Sequence, residues 1–231
     1  MALQRRRLWV GLAISLGLLG GGLTVAPRLL FGDGVDYSQV TSIEKSASYQ
    51  DPALLARAWQ LPVAARYGRD QLESQRNPSF CGPTSAVNLL HSLAQPASQA
   101  TILDGTGVST TFGMVIPGVS LDMLAEIVRK KSGKRVTVLR GLDLAAFRAE
   151  LARSNDEGRR YLVNFHRGPL FGRGGGHHSP IGGYLAAEDL VFVLDVNHAY
   201  QPWLVSSDRL FSAIDTIDRT TKQKRGLLLV E

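Results

Sequence analysis

The chain has 231 residues, 44% of them hydrophobic and 20% charged, with a formal net charge of +6. That is enough chain for one ordinary catalytic domain and a tail. The charge does not point to nucleic acid: Arg5, Arg6, Arg7 and Arg28 supply four of the positive charges, the rest of the chain carries +2, and no basic stripe with interleaved aromatics is present.

In chain order, Arg5-Arg6-Arg7 precede Leu8 to Ala26, nineteen uncharged residues that include five glycines. A positive flank before an apolar stretch near the ~20 residues of a bilayer span reads as a signal peptide or an uncleaved N-terminal anchor. The arginines then stay cytoplasmic, and the domain is exported, periplasmic or anchored on the outer side of the inner membrane. Residues 1–33 are assigned to this leader and residues 34–231 to the catalytic domain; the polar run 27–46 reads as linker. Pro52 to Tyr67 has helical spacing, broken at Pro62.

Next comes Asn77-Pro78-Ser79-Phe80-Cys81-Gly82-Pro83-Thr84-Ser85, which holds the sole cysteine. Ala86, Val87, Leu89, Leu90 and Leu93 follow at helical spacing, so Cys81 stands at a helix N-terminus, and the helix stops near Gln95-Pro96. Free N–H groups and the positive dipole end there favour a thiolate, which is what a nucleophilic cysteine needs. A buried structural cysteine is the plainer alternative. A lone cysteine makes no intramolecular disulfide, so export raises the question of a reactive thiol.

Thr101 to Gly118 reads as a surface loop. Ser120 is an N-cap for an amphipathic helix ended by Lys130, Lys131 and Gly133, the two lysines forming a solvated C-terminus. Arg135 to Arg140 reads as a strand, Leu144 to Leu151 as a helix with Asp143 at its start, Tyr161 to Phe165 as a strand, and Gly168 to Gly176 as a glycine-rich turn. Ile181–Leu185 and Leu190–Val196 form a hairpin through Glu188-Asp189, followed by a helix over Ser207–Ile214 and a strand over Gly226–Val230. Helices first and strands later give an α+β domain with a helical half and an antiparallel sheet half. Gly172-Arg173-Gly174-Gly175-Gly176 precedes a strand rather than a helix, so it is not a dinucleotide loop.

The glycine turn runs into His177-His178. Neighbours in a strand point to opposite faces, so one imidazole is expected to serve Cys81 as base and the other to face away. Asp195 closes the next apolar strand, where a carboxylate can orient that imidazole. Gln75, six residues before Cys81, can donate to an oxyanion together with the Cys81 N–H. The order Cys, His, Asp is that of papain-like enzymes.

The combination of Gln75-(five residues)-Cys81-Gly82, Gly176-His177-His178-Ser179-Pro180-Ile181-Gly182-Gly183-Tyr184 and Leu194-Asp195-Val196 resembles the phytochelatin synthase family in its short bacterial form, over residues 60–231. The resemblance implies a papain-like cysteine protease fold and attack on the Cys–Gly bond of glutathione. A γ-glutamylcysteinyl thioester then passes to water or to a second glutathione. Cys81 would be the nucleophile, His177 the base, Asp195 its orienter and Gln75 the oxyanion donor. Asn164, Asp218 and Arg225 would hold the substrate, the last two in Asp215-Thr216-Ile217-Asp218 and Arg225-Gly226. No metal ligands and no cofactor for acylation are implied. Cadmium or another thiophilic metal would stimulate by entering as a glutathione thiolate. The implied partners are glutathione and its metal complexes, the membrane through an uncleaved leader, and a second copy in a homodimer. The run Asn197-His198-Ala199-Tyr200-Gln201-Pro202-Trp203 departs from the family's basic and aromatic stretch ending in two prolines. No second cysteine is available for metal, which favours hydrolysis over polymerisation. Two readings compete: a cysteine peptidase trimming double-glycine leader peptides, and an anchored, catalytically silent binding module.

Overall fold

The computed structural model describes residues 35–231; the leader, with its reading as signal or anchor, lies outside the described residues. Among the described residues no helix is long and apolar enough to cross a membrane. Helices α1 (Pro52–Trp59) and α2 (Pro62–Tyr67) each begin on a proline, which suits a position whose N–H would be unpaired anyway. Helix α3 (Cys81–Ser92) starts on the cysteine itself. Ser120 caps α4 (Leu121–Ser132) by accepting from Met123 N, and Asp143 caps α5 (Leu144–Ala152) by accepting from Ala146 N.

The strands are β1 (Val136–Arg140), β2 (Arg160–His166), β3 (Gly176–Leu185), β4 (Leu190–Val193), β5 (Trp203–Ser206) and β6 (Gly226–Val230). A one-turn helix α6 (Gly168–Phe171) lies between β2 and β3, and α7 (Ser207–Ile214) follows β5. All six strands form one antiparallel sheet in the order β1-β6-β2-β3-β4-β5. Strand β3 is longer than its predicted Ile181–Leu185 and includes both histidines. It carries Pro180 in mid-strand, where its O accepts from Leu194 N at 2.9 Å and its N faces β4 just past the last paired residue, Val193, so that a missing N–H is tolerated. Strand β5 was not predicted; four residues after a proline carry too little alternation to read.

Both faces of this sheet are covered, which explains why its strands are apolar almost throughout. Tyr161, Val163, Phe165, Val191, Val193, Leu227 and Leu229 pack on one side with residues of α5 and α7. Leu162, Leu228 and Val230 pack on the other side with α3 and α4. Phe192, Leu194 and Leu204 pack with α1 and α2. The fold is α+β, with the cysteine helix laid on an antiparallel sheet.

Two expectations change. Within the stretch read as linker, Ile43 is buried in the first core and the Tyr37 ring lies 5.2 Å from that of His166. The C-terminal lysines of α4 are not merely solvated. Lys130 Nζ donates to Gly105 O, and Lys131 Nζ donates to Thr101 O at 3.0 Å, so they pin the start of the long loop to α4.

Candidate active site

Cys81 opens α3 without a side-chain cap, so the first-turn N–H groups and the positive dipole end are left at the thiol. Helix α3 lies against β3: Ser85 Oγ is 2.7 Å from Cys81 O and 3.1 Å from His178 O, joining helix to strand. A Cβ built on Gly82 would stand 2.2 Å from Val119 Cγ2, so only glycine lets α3 settle this closely.

The sheet supplies the rest. His177 Nε2 lies 3.0 Å from Asp195 Oδ1, and both residues are buried. Asp195 Oδ1 also accepts from Asn197 N at 2.9 Å, Oδ2 accepts from Trp203 Nε1 at 2.9 Å, and Arg167 Nη2 reaches both oxygens at 2.9 and 2.8 Å. Burial pushes the Asp195 carboxyl up, but the positive charges of His177 and Arg167 and these donors outweigh it and hold it far below the usual carboxylate range.

His177 is balanced among opposing effects. Burial and the Arg167 charge disfavour its imidazolium; Asp195 and the Cys81 thiolate favour it and win, so its pKa is raised. Burial likewise pushes the Cys81 thiol up. The charge of His177 and hydrogen bonding from both imidazoles prevail and hold it well below an ordinary thiol. With Nε2 on Asp195, the remaining ring nitrogen of His177 is Nδ1. The tendency is therefore toward a thiolate–imidazolium pair held over a fixed carboxylate.

His178 does not stand apart from the site. It occupies the β3 face opposite His177, and its Nδ1 lies 3.9 Å from Cys81 Sγ. The expectation that the second imidazole faces away from the cysteine is thus corrected: the opposite face of β3 is covered by α3, whose first residue is Cys81.

Asn164, Asp218 and Arg225 come together beside the histidines. Arg225 Nη1 lies 3.2 Å from Asp218 Oδ2 and 3.3 Å from Asn164 Oδ1, and Asn164 Nδ2 donates to His177 O at 3.1 Å. Gly176 leaves room for this guanidinium: a Cβ there would stand 2.6 Å from Arg225 Nη1. Gln75 N donates to Val196 O at 2.7 Å, which ties the segment before α3 to the residue following Asp195. Its side-chain Nε2 donates to Asn77 O at 2.8 Å, and its Oε1 is buried without a partner. The structure thus places Gln75 between the two halves of the site without a hydrogen bond to Cys81. Among the described residues no cluster of three or more His, Cys, Asp or Glu could hold a metal ion.

Sequence reasoning missed Arg167, Trp203 and His178. The arginine had a signal, a charge closing an apolar strand directly before a glycine. Trp203 follows a proline in a stretch with no clear period.

The sequence model of the phytochelatin synthase family matches residues 40–227. The chain is 32% identical over 181 residues to glutathione gamma-glutamylcysteinyltransferase 1 of Triticum aestivum, covering 68% of this chain and 34% of that protein. It is 28% identical over 181 residues to glutathione gamma-glutamylcysteinyltransferase 2 of Arabidopsis thaliana, covering 68% and 37%. The chain thus spans less than half the length of these curated relatives. Among solved structures it is similar to the peptidase domain of Streptococcus ComA, a bi-functional ABC transporter (TM-score 0.47, 16% identity, 68% of this chain and 94% of that one). It is also similar to a double glycine motif protease from an AMS/PCAT transporter (TM-score 0.43, 12% identity, 69% and 88%). The chain belongs to the phytochelatin synthase family.

Proposed function

We propose that the protein cleaves the Cys–Gly bond of glutathione through a γ-glutamylcysteinyl thioester on Cys81. The observation that carries the reading is the buried Cys81, His177 and Asp195 arrangement, with Arg225 and Asp218 beside it, in a chain of this family. Cys81 Sγ, its proton already on His177, attacks the Cys–Gly carbonyl carbon. The oxyanion is steadied by the N-terminal N–H groups of α3, with Gln75 as a second donor once its amide leaves Asn77 O. His177 then returns the proton to the glycine nitrogen as the C–N bond breaks, releasing glycine and leaving the thioester. Water, deprotonated by His177, resolves the thioester to γ-glutamylcysteine; the amine of a second glutathione, deprotonated in the same way, would extend the chain instead.

The substrate's γ-glutamyl carboxylate suits the Arg225 guanidinium, its amine suits Asp218, and Asn164 links both to the His177 backbone. Hydrolysis is the favoured outcome: the sequence has one cysteine, already committed to acylation, and none to gather thiophilic metal. Cadmium would act as part of the substrate, bound as a glutathione thiolate. The Arg5-Arg6-Arg7 leader supports a place on the outer side of the inner membrane.

Mass spectrometry of the full chain incubated with glutathione, with and without cadmium, tests this. Free glycine and γ-glutamylcysteine are expected, absent in Cys81→Ser. Longer γ-glutamylcysteine chains rising with cadmium would overturn the preference for hydrolysis. No glycine under either condition would overturn the glutathione reading, and peptides ending in Gly-Gly would be tried next.

A further inference from the structure

His178 is the buried titratable group that this reaction leaves unused. Its Nδ1 lies 3.9 Å from Cys81 Sγ, its Nε2 is sealed from solvent without a hydrogen-bond partner, and the residue is 3% exposed. Its place is fixed from two sides. The strand pairs it with Asn164 on β2, and Ser85 of α3 reaches its carbonyl. A Cβ built on Gly82 would come within 3.6 Å of its Nδ1, so the ring lies directly against the first turn of α3.

We propose that His178 is a second hydrogen-bond donor to the Cys81 thiolate, held with its proton on Nδ1 by the thiolate itself. This rests on Cys81 being the nucleophile, as above. Three protonation states are available to the ring. With the proton on Nε2 alone, the ring would bury an unsatisfied N–H and aim the Nδ1 lone pair at a thiolate. An imidazolium would bury the same unsatisfied N–H together with a charge. The neighbouring carboxylates are taken, Asp195 by His177 and Arg167, and Asp218 by Arg225. The Nδ1–H tautomer buries only an unpaired acceptor, which is the least costly orphan, and makes a charge-assisted bond to sulfur.

The charged and titratable groups facing Cys81 are His177 and His178 of β3; behind them stand Arg167 and Asp195, with Arg225 and Asp218 beside Gly176. Helix α3 brings no acidic side chain to its first turn, and its one basic residue, His91, lies in its last. The two histidines therefore divide the work. His177, backed by a carboxylate, carries charge and moves protons. His178 moves none; it steadies the thiolate both when that thiolate attacks and when it leaves the thioester.

Cys81 is the only thiol, so the pH dependence of iodoacetamide alkylation and of thiolate ultraviolet absorbance reports on it alone and needs no substrate. In the full-length protein, His178→Phe should move the thiolate midpoint up by about one pH unit, roughly tenfold less thiolate at a pH below that midpoint. His178→Asn, whose amide N–H stands where Nδ1–H stood and does not titrate, should bring the midpoint back toward the parent value. A folded Phe variant with an unchanged midpoint would overturn the proposal, as would an Asn variant that folds and behaves like Phe. Imidazole ¹⁵N spectra of the unaltered protein read the tautomer even where neither variant folds. A protonated Nδ1 on His178 at neutral pH is expected, and an unprotonated one would end the proposal. Glutathione turnover is followed in parallel: if it is absent while the alkylation results hold, only the substrate reading fails.

Discussion

The two sides of the site are built on opposite plans. On the sheet side Asp195 is saturated: an imidazole, a guanidinium, an indole and a backbone N–H all converge on one carboxylate. On the helix side Cys81 has the His177 imidazole, His178 Nδ1 at 3.9 Å and an uncapped helix start, and two nearby polar atoms, Gln75 Oε1 and His178 Nε2, are buried without partners. The difference teaches where preorganisation is concentrated. The orienting network is finished before any substrate arrives, so it need not rearrange during reaction. The nucleophile's side is left less complete: its two orphans are acceptors, and what it offers to the negative charge of attack is the uncapped N–H groups of the α3 first turn.

The largest effect lies on the open side. Cys81→Ala should abolish glycine release from glutathione while leaving the melting temperature within a few degrees, because a small residue replaces a small one. Measurable turnover in this variant would mean that the chemistry sits elsewhere.

Asp195→Asn should lower kcat by about 10³–10⁴-fold, since a neutral amide neither supports the imidazolium nor fixes its tautomer. It should also reshape the pH profile. The thiolate–imidazolium pair exists above the depressed pKa of Cys81 and below the raised pKa of His177, so the rate falls as acid protonates the thiolate and again as alkali discharges His177. Removing the carboxylate that raises His177 should bring the alkaline limb to lower pH. Arg167→Met should move the same limb the other way, because the Arg167 charge lowers His177. It should also cost about 3–5 kcal/mol of stability, the usual effect of stranding one half of a buried pair. Limbs that shift in the same direction in both variants would refute the view that carboxylate and guanidinium pull His177 oppositely.

Much of this was legible in the chain. Ser120 and Asp143 sit where caps belong, before apolar residues at helical spacing, and both cap. Cys81, His177 and Asp195 stand at the ends of apolar runs beside residues that bend the backbone, and the structure brings all three together. Other features were hidden for definite reasons. Arg167 closes an apolar strand before a glycine, but the partner that buries its guanidinium lies 28 residues later, and that pairing is not written locally. For His178 the alternation rule holds, but it says nothing of what covers the second face; α3 does, with Cys81 at its tip. The side chain of Gln75 was placed by its distance from the cysteine in sequence, whereas the backbone turn at Asn77 offers its amide a nearer acceptor.

The smallest expected effect tests how self-sufficient the saturated side is. The Tyr200 ring lies under Arg167, 3.8 Å from the guanidinium carbon. Tyr200→Leu removes this cation–π face, worth about 1 kcal/mol at a partly buried site, or roughly 2–4 °C of melting temperature in a chain of this size. Arg167 would still reach both Asp195 oxygens, so kcat and the alkaline limb should stay where they are while the thermal midpoint drops. Thermal unfolding and a pH–rate profile on the same preparation separate the two effects. A fall in kcat together with the midpoint would show that the aromatic face, and not the carboxylate alone, positions Arg167, and the saturated side would then extend outward to the Asn197–Tyr200 turn.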